Sequence, residues 1–338
     1  MITSKFNSDR IRLLVTDECN YSCPYCHNEG QFSRKNFIGL EKVKELTEYI
    51  TKNNVQIRSF TISGGEPTIH KSLPQIISLV RKVTPNISIV TNGELLLPEK
   101  IDELANAGLK YIKFGIDSVS LAKTKPQKLK SKSTPTKVLK NLMYAKKILP
   151  MSSINTVVSK FNIDKIRESI DFSDTNNISV KFLELIEVHN DAIGVNPFED
   201  TISHNWFFTI YKSINDIVKN VRYSPSVKKF YAETINNNVT IQFSEDFCSY
   251  GTCSDLWSRM DARGMLIPCI KKPAIINPKG NLLEGFEKVN SEMKKVEKWP
   301  CKNRVEETSI KNGFIYINDI NSDSKIEFPL TDQISCAC

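Results

Sequence analysis

The stretch VTDECNYSCPYCHNEG, residues 15–30, decides how this chain is interpreted. It follows a β-branched and apolar run at residues 11–16, which predicts a buried strand. Directly behind that strand it places Cys19, Cys23 and Cys26 at a C-x3-C-x2-C spacing. Iron–sulfur clusters are held by cysteine thiolates, normally four of them. Three cysteines on one loop therefore fit three corners of a cubane cluster and leave one iron open to a substrate or cofactor.

A zinc site completed by His27 is the alternative for this loop. Structural zinc ligands usually come as two pairs that lie well apart along the chain. No second pair accompanies this loop. The spacing therefore favours the iron–sulfur interpretation.

The strand at residues 11–16 begins an order of strand, loop and helix that repeats to about residue 186. Further strands are predicted at 57–62, 86–91, 110–116, 153–158 and 178–185, with helices at 40–53, 72–83, 98–107, 135–149 and 164–175. Alternating strands and helices form right-handed βαβ units around a parallel sheet. We predict an α/β fold, a partial (β/α)6 barrel of TIM type, with its site at the carboxyl ends of the strands.

Three helix boundaries carry local signals. Ser72 with Gln75 is typical of a capping box, and Thr134 followed by Pro135 is typical of a helix start. Gly108 is expected just beyond the end of a helix, in the left-handed conformation.

Loops at the ends of the next strands also carry chemistry. Gly64 and Gly65 follow the second strand, and adjacent glycines let the backbone approach a ligand closely. Glu66 comes next and can accept hydrogen bonds from an ammonium group. Thr91 and Asn92 end the third strand in a T-N-G sequence.

Beyond residue 186 the alternation stops. Residues 188–205 are expected to be a connecting loop, 205–221 a helix, and 239–243 and 262–268 short strands. We predict three parts: a barrel at 1–200, a smaller domain at 201–301 and a tail at 302–338, which contains one strand-like run, GFIYI. Six cysteines follow residue 247: Cys248, Cys253, Cys269, Cys301, Cys336 and Cys338.

Composition limits the class of protein. The 338 residues include 46 Lys and Arg against 38 Asp and Glu, a net charge of +8, and 40% are hydrophobic, which excludes a disordered chain. No apolar run approaches the ~18 residues of a membrane span, and no secretory signal is evident at the start. We expect a cytoplasmic protein without a membrane segment. Its nine cysteines are not expected to form a disulfide framework, and their two distant clusters indicate two metal sites.

Charge is concentrated in one segment. Ten lysines and no acidic residue lie between Asp117 and Asp164, most densely at residues 124–137. The segment is interpreted as a solvated loop, with attraction of an anionic substrate as the alternative. Nucleic acid is disfavoured because no aromatic residues interleave the basic ones.

Four motifs together resemble the radical S-adenosylmethionine (SAM) superfamily: the three-cysteine loop, GGEP after the second strand, TNG after the third and FGIDS at the fourth. The resemblance implies a 4Fe–4S cluster on Cys19, Cys23 and Cys26 whose open iron binds SAM. It also implies reductive cleavage of SAM to a 5′-deoxyadenosyl radical, which abstracts a hydrogen atom from the substrate. The electron would come from an external donor of flavodoxin or ferredoxin type.

Residues 10–270 are more specifically similar to the MoaA family, the GTP 3′,8-cyclases of molybdenum cofactor biosynthesis. The segments VVSKFNIDKI and VKFLELIEV and the later cysteines carry this likeness. It implies a second, auxiliary 4Fe–4S cluster on Cys248, Cys253 and Cys269, although both gaps between these cysteines are two residues longer than the family spacing. Cys301 is a candidate fourth ligand; unrelated buried cysteines are the alternative.

The resemblance also assigns ligand contacts. SAM-binding positions are Tyr25, Gly64, Gly65, Glu66, Thr91, Asn92, Gly115 and Ile186, with Glu66 receiving the SAM ammonium. Substrate-binding positions are Arg12, Lys160 and Arg259; ordinary solvated cations are the alternative for these three.

Departures from the family concern the substrate surface. Trp257, Ser59 and Thr61 stand where the family has basic residues, and the tail ends in SCAC instead of a double glycine. Hydroxyl groups cannot supply the charge-assisted contacts that a triphosphate needs. We therefore expect a substrate other than GTP, either a nucleotide-like metabolite or a ribosomal peptide in natural-product biosynthesis.

Three alternatives remain open. Genuine GTP cyclisation is the alternative within enzymes, and a non-catalytic iron–sulfur electron carrier is the alternative of another class. Cys336 and Cys338 are possible catalytic hydrogen-atom donors, or else a frayed terminus. The sequence indicates no particular oligomeric state.

Overall fold

A computed structural model describes residues 10–23, 25–31, 35–119, 135–160, 162–185, 206–224, 229–244, 258–267, 282, 284–289, 308–311, 314–318, 325–329 and 331. Strands and helices alternate through the first half as predicted. The strands are β1 (Arg10–Leu14), β2 (Ser59–Ser63), β3 (Ile87–Thr91), β4 (Tyr111–Gly115), β5 (Ser153–Val158) and β6 (Val180–Glu184). The helices are α1 (Leu40–Lys52), α2 (Leu73–Arg81), α3 (Pro98–Ala107), α4 (Pro135–Ile148) and α5 (Ile166–Asn176).

These six strands lie side by side in chain order, each parallel to the next. A helix follows each of the first five strands, so every crossover is a βαβ unit. This arrangement is the expected α/β fold with a partial (β/α)6 barrel. Loops at the carboxyl ends of β1 to β4 consequently lie at one edge of the sheet.

The two faces of the sheet differ in chemistry because successive side chains alternate between them. One face is apolar and packs in the hydrophobic core, where Phe60, Phe114 and Phe182 are fully buried. The other face, the inner face of the partial barrel, carries the intervening residues. Among them are Thr61 and Lys113. Most polar side chains of the sheet thus lie on the inner face, although Thr156 and Glu184 lie on the other.

Helix boundaries follow the sequence signals in part. Gly108 ends α3 in the left-handed conformation with φ of 111°, as predicted. Ser72 precedes α2, but its side chain makes no capping hydrogen bond, so the predicted capping box is wrong. Its ψ of 22° departs from the extended conformation that aims an N-cap side chain at the first-turn amides. Thr134 lies outside the described residues.

Strands from the second half of the chain extend the same sheet. Beside β6 lie, in spatial order, β9 (Thr240–Ser244), β8 (Lys229–Thr234) and β7 (Val218–Ser224), while β10 (Ser258–Met260) and β11 (Leu266–Ile267) lie beyond β1. The expected strands at 239–243 and 262–268 correspond to β9 and β11. The predicted helix at 205–221 is too long, because α6 (Trp206–Ile214) ends in a turn and β7 begins at Val218.

Aromatic packing fixes this extension. The Phe207 ring of α6 stacks on Phe230 of β8, with ring centroids 3.8 Å apart. Phe243 of β9 meets the same ring edge-on at 4.9 Å. Phe328 also packs edge-on against Phe207. It lies on the last strand of a separate antiparallel sheet of β12 (Thr308–Lys311), β13 (Phe314–Asn318) and β14 (Lys325–Pro329).

The GFIYI run was predicted to be strand-like, and its residues 314–317 lie in β13. The main sheet continues across residue 200, so β7 to β11 share it with the barrel; the division at 200 and 301 stays a prediction. No helix in the described part of the chain is both long and apolar enough to cross a bilayer.

Candidate active site

The three-cysteine loop leaves β1 at the carboxyl edge of the sheet. Backbone amides point at two of its sulfurs: Tyr21 N lies 3.3 Å from the Cys19 Sγ, and Asn28 N lies 3.4 Å from the Cys26 Sγ. The chain turns between the last two cysteines, where Cys26 N donates to the Cys23 carbonyl at 3.1 Å. Amides aimed at sulfur stabilise thiolate ligands and tune cluster potentials, so this donor set fits a cubane cluster.

Burial, together with the nearby Asp117 carboxylate and the other two cysteines, raises the pKa of the Cys23 thiol to about 12. The free thiol therefore keeps its proton at neutral pH. Metals bind the thiolate, so loading this site must release that proton.

The zinc alternative depends on His27. Its Nδ1 accepts a hydrogen bond from the Glu29 amide at 3.0 Å, and burial lowers the pKa of the ring. A tetrahedral zinc ion needs its ligands to converge on one point. Within the described ranges no three Cys, His, Asp or Glu side chains do so. Cysteines on different irons of a cubane have no such requirement.

The glycine pair after β2 packs directly on the chain that enters the cysteine loop. Gly65 N donates to the Thr16 carbonyl and Glu66 N to the Glu18 carbonyl, both at 2.7 Å. A Cβ on Gly65 would lie 2.1 Å from the Glu18 carbonyl oxygen, and Gly64 has a φ of +141°. Only glycine fits at both positions, so the GGEP motif holds the cysteine loop in place.

Glu66 joins the loops after β2 and β3. Its carboxylate accepts from the amide and hydroxyl of Thr68, from the Thr91 hydroxyl at 2.6 Å and from Asn92 N at 2.8 Å. Burial raises the pKa of Glu66, and these hydrogen bonds act in the opposite direction, to lower it. Four donors engage most of the acceptor capacity of a carboxylate. The role of receiving the SAM ammonium remains a prediction for this residue.

An amide network continues from this point to the cysteine loop. The Asn92 side-chain amide donates to the Asn20 Oδ1 at 2.8 Å, and the Asn20 amide donates to Glu94 at 2.6 Å. Because Asn20 directly follows Cys19, the network ties the first cysteine to the loop after β3.

Tyr25 connects the loop to β4 and β5. Its hydroxyl donates a hydrogen bond to the Asp117 carboxylate, which also accepts from Val157 N at 3.3 Å. Burial raises the pKa of both Tyr25 and Asp117. Gly115, another position with an implied SAM contact, lies exposed two residues before Asp117.

The candidate substrate residues divide into two places. Arg12 on β1 and Arg259 on β10 are direct register partners and so share the inner face. Arg12 donates to the Glu29 carboxylate and, at 3.4 Å, to the Ser63 hydroxyl, while its Nε is buried without a hydrogen-bond acceptor. Lys160 is exposed just beyond the end of β5.

Glu29 is the counter-ion of this basic pair. Burial on its own would raise the pKa of Glu29, but Arg12, followed by further cationic neighbours, lowers it below its usual range. Sequence patterns did not single out Glu29, Asp117 or Asn20. Glu29 and Asn20 lie within the quoted cysteine stretch, and Asp117 ends the FGID motif, so position next to a motif was the available signal.

Several predicted site residues lie outside the described residues. They are Ile186, Cys248, Cys253, Cys269, Cys301, Cys336 and Cys338.

This chain is similar in sequence to a known family and to several curated enzymes. Residues 13–173 match the family described as the Radical SAM superfamily. The GTP 3′,8-cyclase of Nautilia profundicola is 27% identical over 297 residues, covering 84% of this chain and 88% of that protein. The probable GTP 3′,8-cyclase of Sulfolobus acidocaldarius is 30% identical over 190 residues, covering 56% and 58%.

Two solved structures share the fold. The anSMEcpe protein with bound AdoMet and the Cp18Cys peptide superposes with a TM-score of 0.61 at 15% identity, covering 86% of this chain and 84% of that one. Streptococcus suis SuiB bound to S-adenosylmethionine gives 0.58 at 16% identity. The superposition covers 78% of this chain but only 60% of SuiB.

The C-x3-C-x2-C loop at the carboxyl edge of the parallel partial barrel lies within residues 13–173, which match the Radical SAM superfamily. This chain therefore contains a radical SAM domain, which indicates a radical SAM enzyme. The family implies a 4Fe–4S cluster and SAM as its cofactors. Among such enzymes this chain is MoaA-like, since its curated relatives are GTP 3′,8-cyclases. The matches are to enzymes, so the electron-carrier alternative is set aside.

Proposed function

We propose that this enzyme cleaves SAM reductively and uses the 5′-deoxyadenosyl radical to take a hydrogen atom from a substrate other than GTP. The observation that carries the proposal is the hydrogen-bonded unit formed by the cysteine loop, the GGEP loop and the loop after β3. Each cysteine lies on a loop that these contacts hold against the sheet. When bound, the cluster supplies the electron that splits SAM into methionine and the radical.

The chain's own residues have separate tasks in this scheme. Cys19, Cys23 and Cys26 would hold the cluster. Gly64 and Gly65 allow the loop to approach, and Glu66 orients the backbone at Asn92. SAM would lie along this edge, between the cysteine loop and the exposed Gly115, with an external flavodoxin or ferredoxin as electron donor.

The substrate surface is the reason for excluding GTP. Arg12, the position that binds GTP in the related family, is paired with Glu29 and with the Ser63 hydroxyl. Thr61, its register partner on β2, has its hydroxyl 3.2 Å from that of Ser88. The wall beside Arg12 thus offers hydroxyls and a carboxylate where a triphosphate requires cations.

GTP cyclisation is the second candidate, favoured by the Arg12–Arg259 pair and by relatives matched over most of the chain. We expect anaerobically reconstituted enzyme with SAM, dithionite and GTP to form 5′-deoxyadenosine only at its substrate-free rate. Liquid chromatography with mass spectrometry should detect no cyclised nucleotide. A cyclised product would identify GTP as the substrate and overturn the proposal on this point.

A second 4Fe–4S cluster on Cys248, Cys253 and Cys269 is proposed from the family resemblance, with Cys301 as a candidate fourth ligand. Replacing Cys248, Cys253 and Cys269 together with Ala should lower the iron content from about eight to about four atoms per chain. Replacing Cys301 alone should leave iron content high if three cysteines suffice. An unchanged iron content in the triple variant would reject the auxiliary cluster.

A further inference from the structure

A single row of polar side chains crosses the inner face, from the strand next to Gly115, beside the proposed SAM site, to β7 at the far side of the sheet. Asn155 is the register partner of Gly115, and Lys181 is the partner of Asn155. The row continues through Gln242, Tyr231 and Arg222 on β9, β8 and β7. Register partners lie on the same face of a sheet, so these five side chains form one line.

The row is accessible, in contrast to the face behind it. All five of its side chains are partly exposed. The residues that alternate with them on the opposite face, including Phe182, Phe243 and Phe230, are at most 1% exposed and pack in the core. The extension β9–β8–β7 therefore presents a polar surface that is continuous with the interior of the barrel.

The spacing of the charges indicates the shape of the ligand. Neighbouring strands lie about 4.8 Å apart, so Lys181 and Arg222, three strands apart, are separated by about 14 Å along the row. Between them lie an amide, Gln242, and a phenol, Tyr231. The charges of a triphosphate are contiguous and would need clustered cations. An extended peptide covers the same distance in about four residues, at about 3.3 Å each.

The chemistry of the row suits a peptide. Side-chain amides such as Asn155 and Gln242 pair with backbone amides, because each has both donors and an acceptor. Arg222 can bind a carboxylate through two parallel hydrogen bonds. Its neighbour Glu233 lies 3.8 Å away and the pair is 39% and 27% exposed, so this ion pair is weak and can be exchanged for a ligand carboxylate.

The geometry points to a peptide-binding track formed by Asn155, Lys181, Gln242, Tyr231 and Arg222. It holds an extended substrate peptide across the strands, with acidic residues at Lys181 and Arg222 and the reacting residue toward Gly115. This inference rests on the proposed function and narrows its substrate class to an acidic peptide.

Binding of synthetic peptides tests the track. The probes are end-blocked, fluorescein-labelled decapeptides of Ala and Ser that carry two Glu residues four positions apart. Matched peptides carry two Gln at those positions or two adjacent Glu. Binding to the reconstituted full chain is followed by fluorescence anisotropy. We expect the spaced-Glu peptide to bind at least about tenfold more tightly than the Gln peptide, a difference of about 1.4 kcal/mol.

Two track variants and a control accompany this measurement. Arg222→Gln should remove most of the preference for Glu, and Gln242→Glu should weaken binding of the acidic peptide by repulsion. Lys147→Gln, an equal charge change at an exposed position of α4, should leave the preference unchanged. Circular dichroism of each variant checks that it is folded.

Equal binding of all three peptides would overturn the track, as would equal losses in Arg222→Gln and Lys147→Gln. Competition is measured with tripolyphosphate and with unlabelled spaced-Glu peptide. If both displace the labelled peptide at the same concentration, the track is overturned, because a compact polyanion then binds as well as the extended peptide. Formation of 5′-deoxyadenosine by the wild-type chain without peptide is measured on the same preparation. It reports on the radical chemistry independently of the track.

Discussion

The Gly65→Ala variant is expected to lose reductive SAM cleavage and most of the iron bound at the cysteine loop. The added methyl group would lie 2.1 Å from the Glu18 carbonyl oxygen and 2.5 Å from its carbon, both rigid backbone atoms. The GGEP loop and the cysteine loop must then separate, breaking the 2.7 Å hydrogen bonds from Gly65 N and Glu66 N. Overpacking of this kind costs about 1–3 kcal/mol of folding free energy.

Iron per chain, 5′-deoxyadenosine formation and urea unfolding measure these effects together. Gly39→Ala is the matched control, because nothing lies within 4 Å of its added Cβ and its φ of −72° suits alanine. This control should keep its iron and its activity. Wild-type iron content and SAM cleavage in Gly65→Ala would show that the two loops do not depend on this contact.

The Cys23→Ala variant is expected to cleave SAM at least about a thousandfold more slowly than the wild type. The three cysteines act only as a set, so the loss of one is expected to remove the activity of all three. Its thiol is half-buried and lies near Asp117 and the other two cysteines. Removing it leaves two sulfurs, too few to hold a cubane that already lacks one protein ligand.

Ser22→Ala is the matched control for this variant, one position earlier on the same loop. Iron and sulfide analysis and the electron paramagnetic resonance spectrum of the reduced protein measure the first cluster. Cys23→Ala should lose the part of the spectrum that SAM perturbs, whereas Ser22→Ala should retain it. An unaltered SAM-sensitive spectrum in Cys23→Ala would exclude this cysteine as a ligand.

Most of the barrel could be predicted from sequence because its signals are local. Each strand from β1 to β6 is a short apolar or β-branched run, and each helix between them repeats its apolar residues at helical spacing. The extension was harder to predict. The apolar residues of α6, Trp206, Phe207 and Ile210, run on into the apolar positions of β7, and only the turn at 215–217 separates the two elements.

The parts of the site that lie in local motifs could be predicted from the sequence. The contacts between residues far apart in the chain could not. The cysteine spacing and the glycine pair are short local patterns in the sequence. The Tyr25–Asp117 hydrogen bond joins residues 92 positions apart, and the Arg12–Arg259 pairing depends on a parallel register between β1 and β10. Such contacts follow from strand order, which the local pattern does not specify.

The polar row on the inner face illustrates the same limit. Each of its members alternates with a buried apolar residue, as expected for a strand with one solvated face. Their alignment depends on the strand order β5–β6–β9–β8–β7. In this order β9, the last of the three strands along the chain, pairs with the barrel strand β6. Sequence order would have placed β7 next to β6 and moved Arg222 nearer to Gly115.

The most direct test of the central claim is the formation of 5′-deoxyadenosine by the wild-type protein. Anaerobically reconstituted chain carrying at least four irons is incubated with SAM and dithionite, and the nucleoside and methionine are quantified by liquid chromatography with mass spectrometry. We predict that both form in equal amounts in the wild-type chain and that neither forms in Cys23→Ala. Their absence from wild-type protein with a full first cluster would contradict the assignment of this site to radical SAM chemistry.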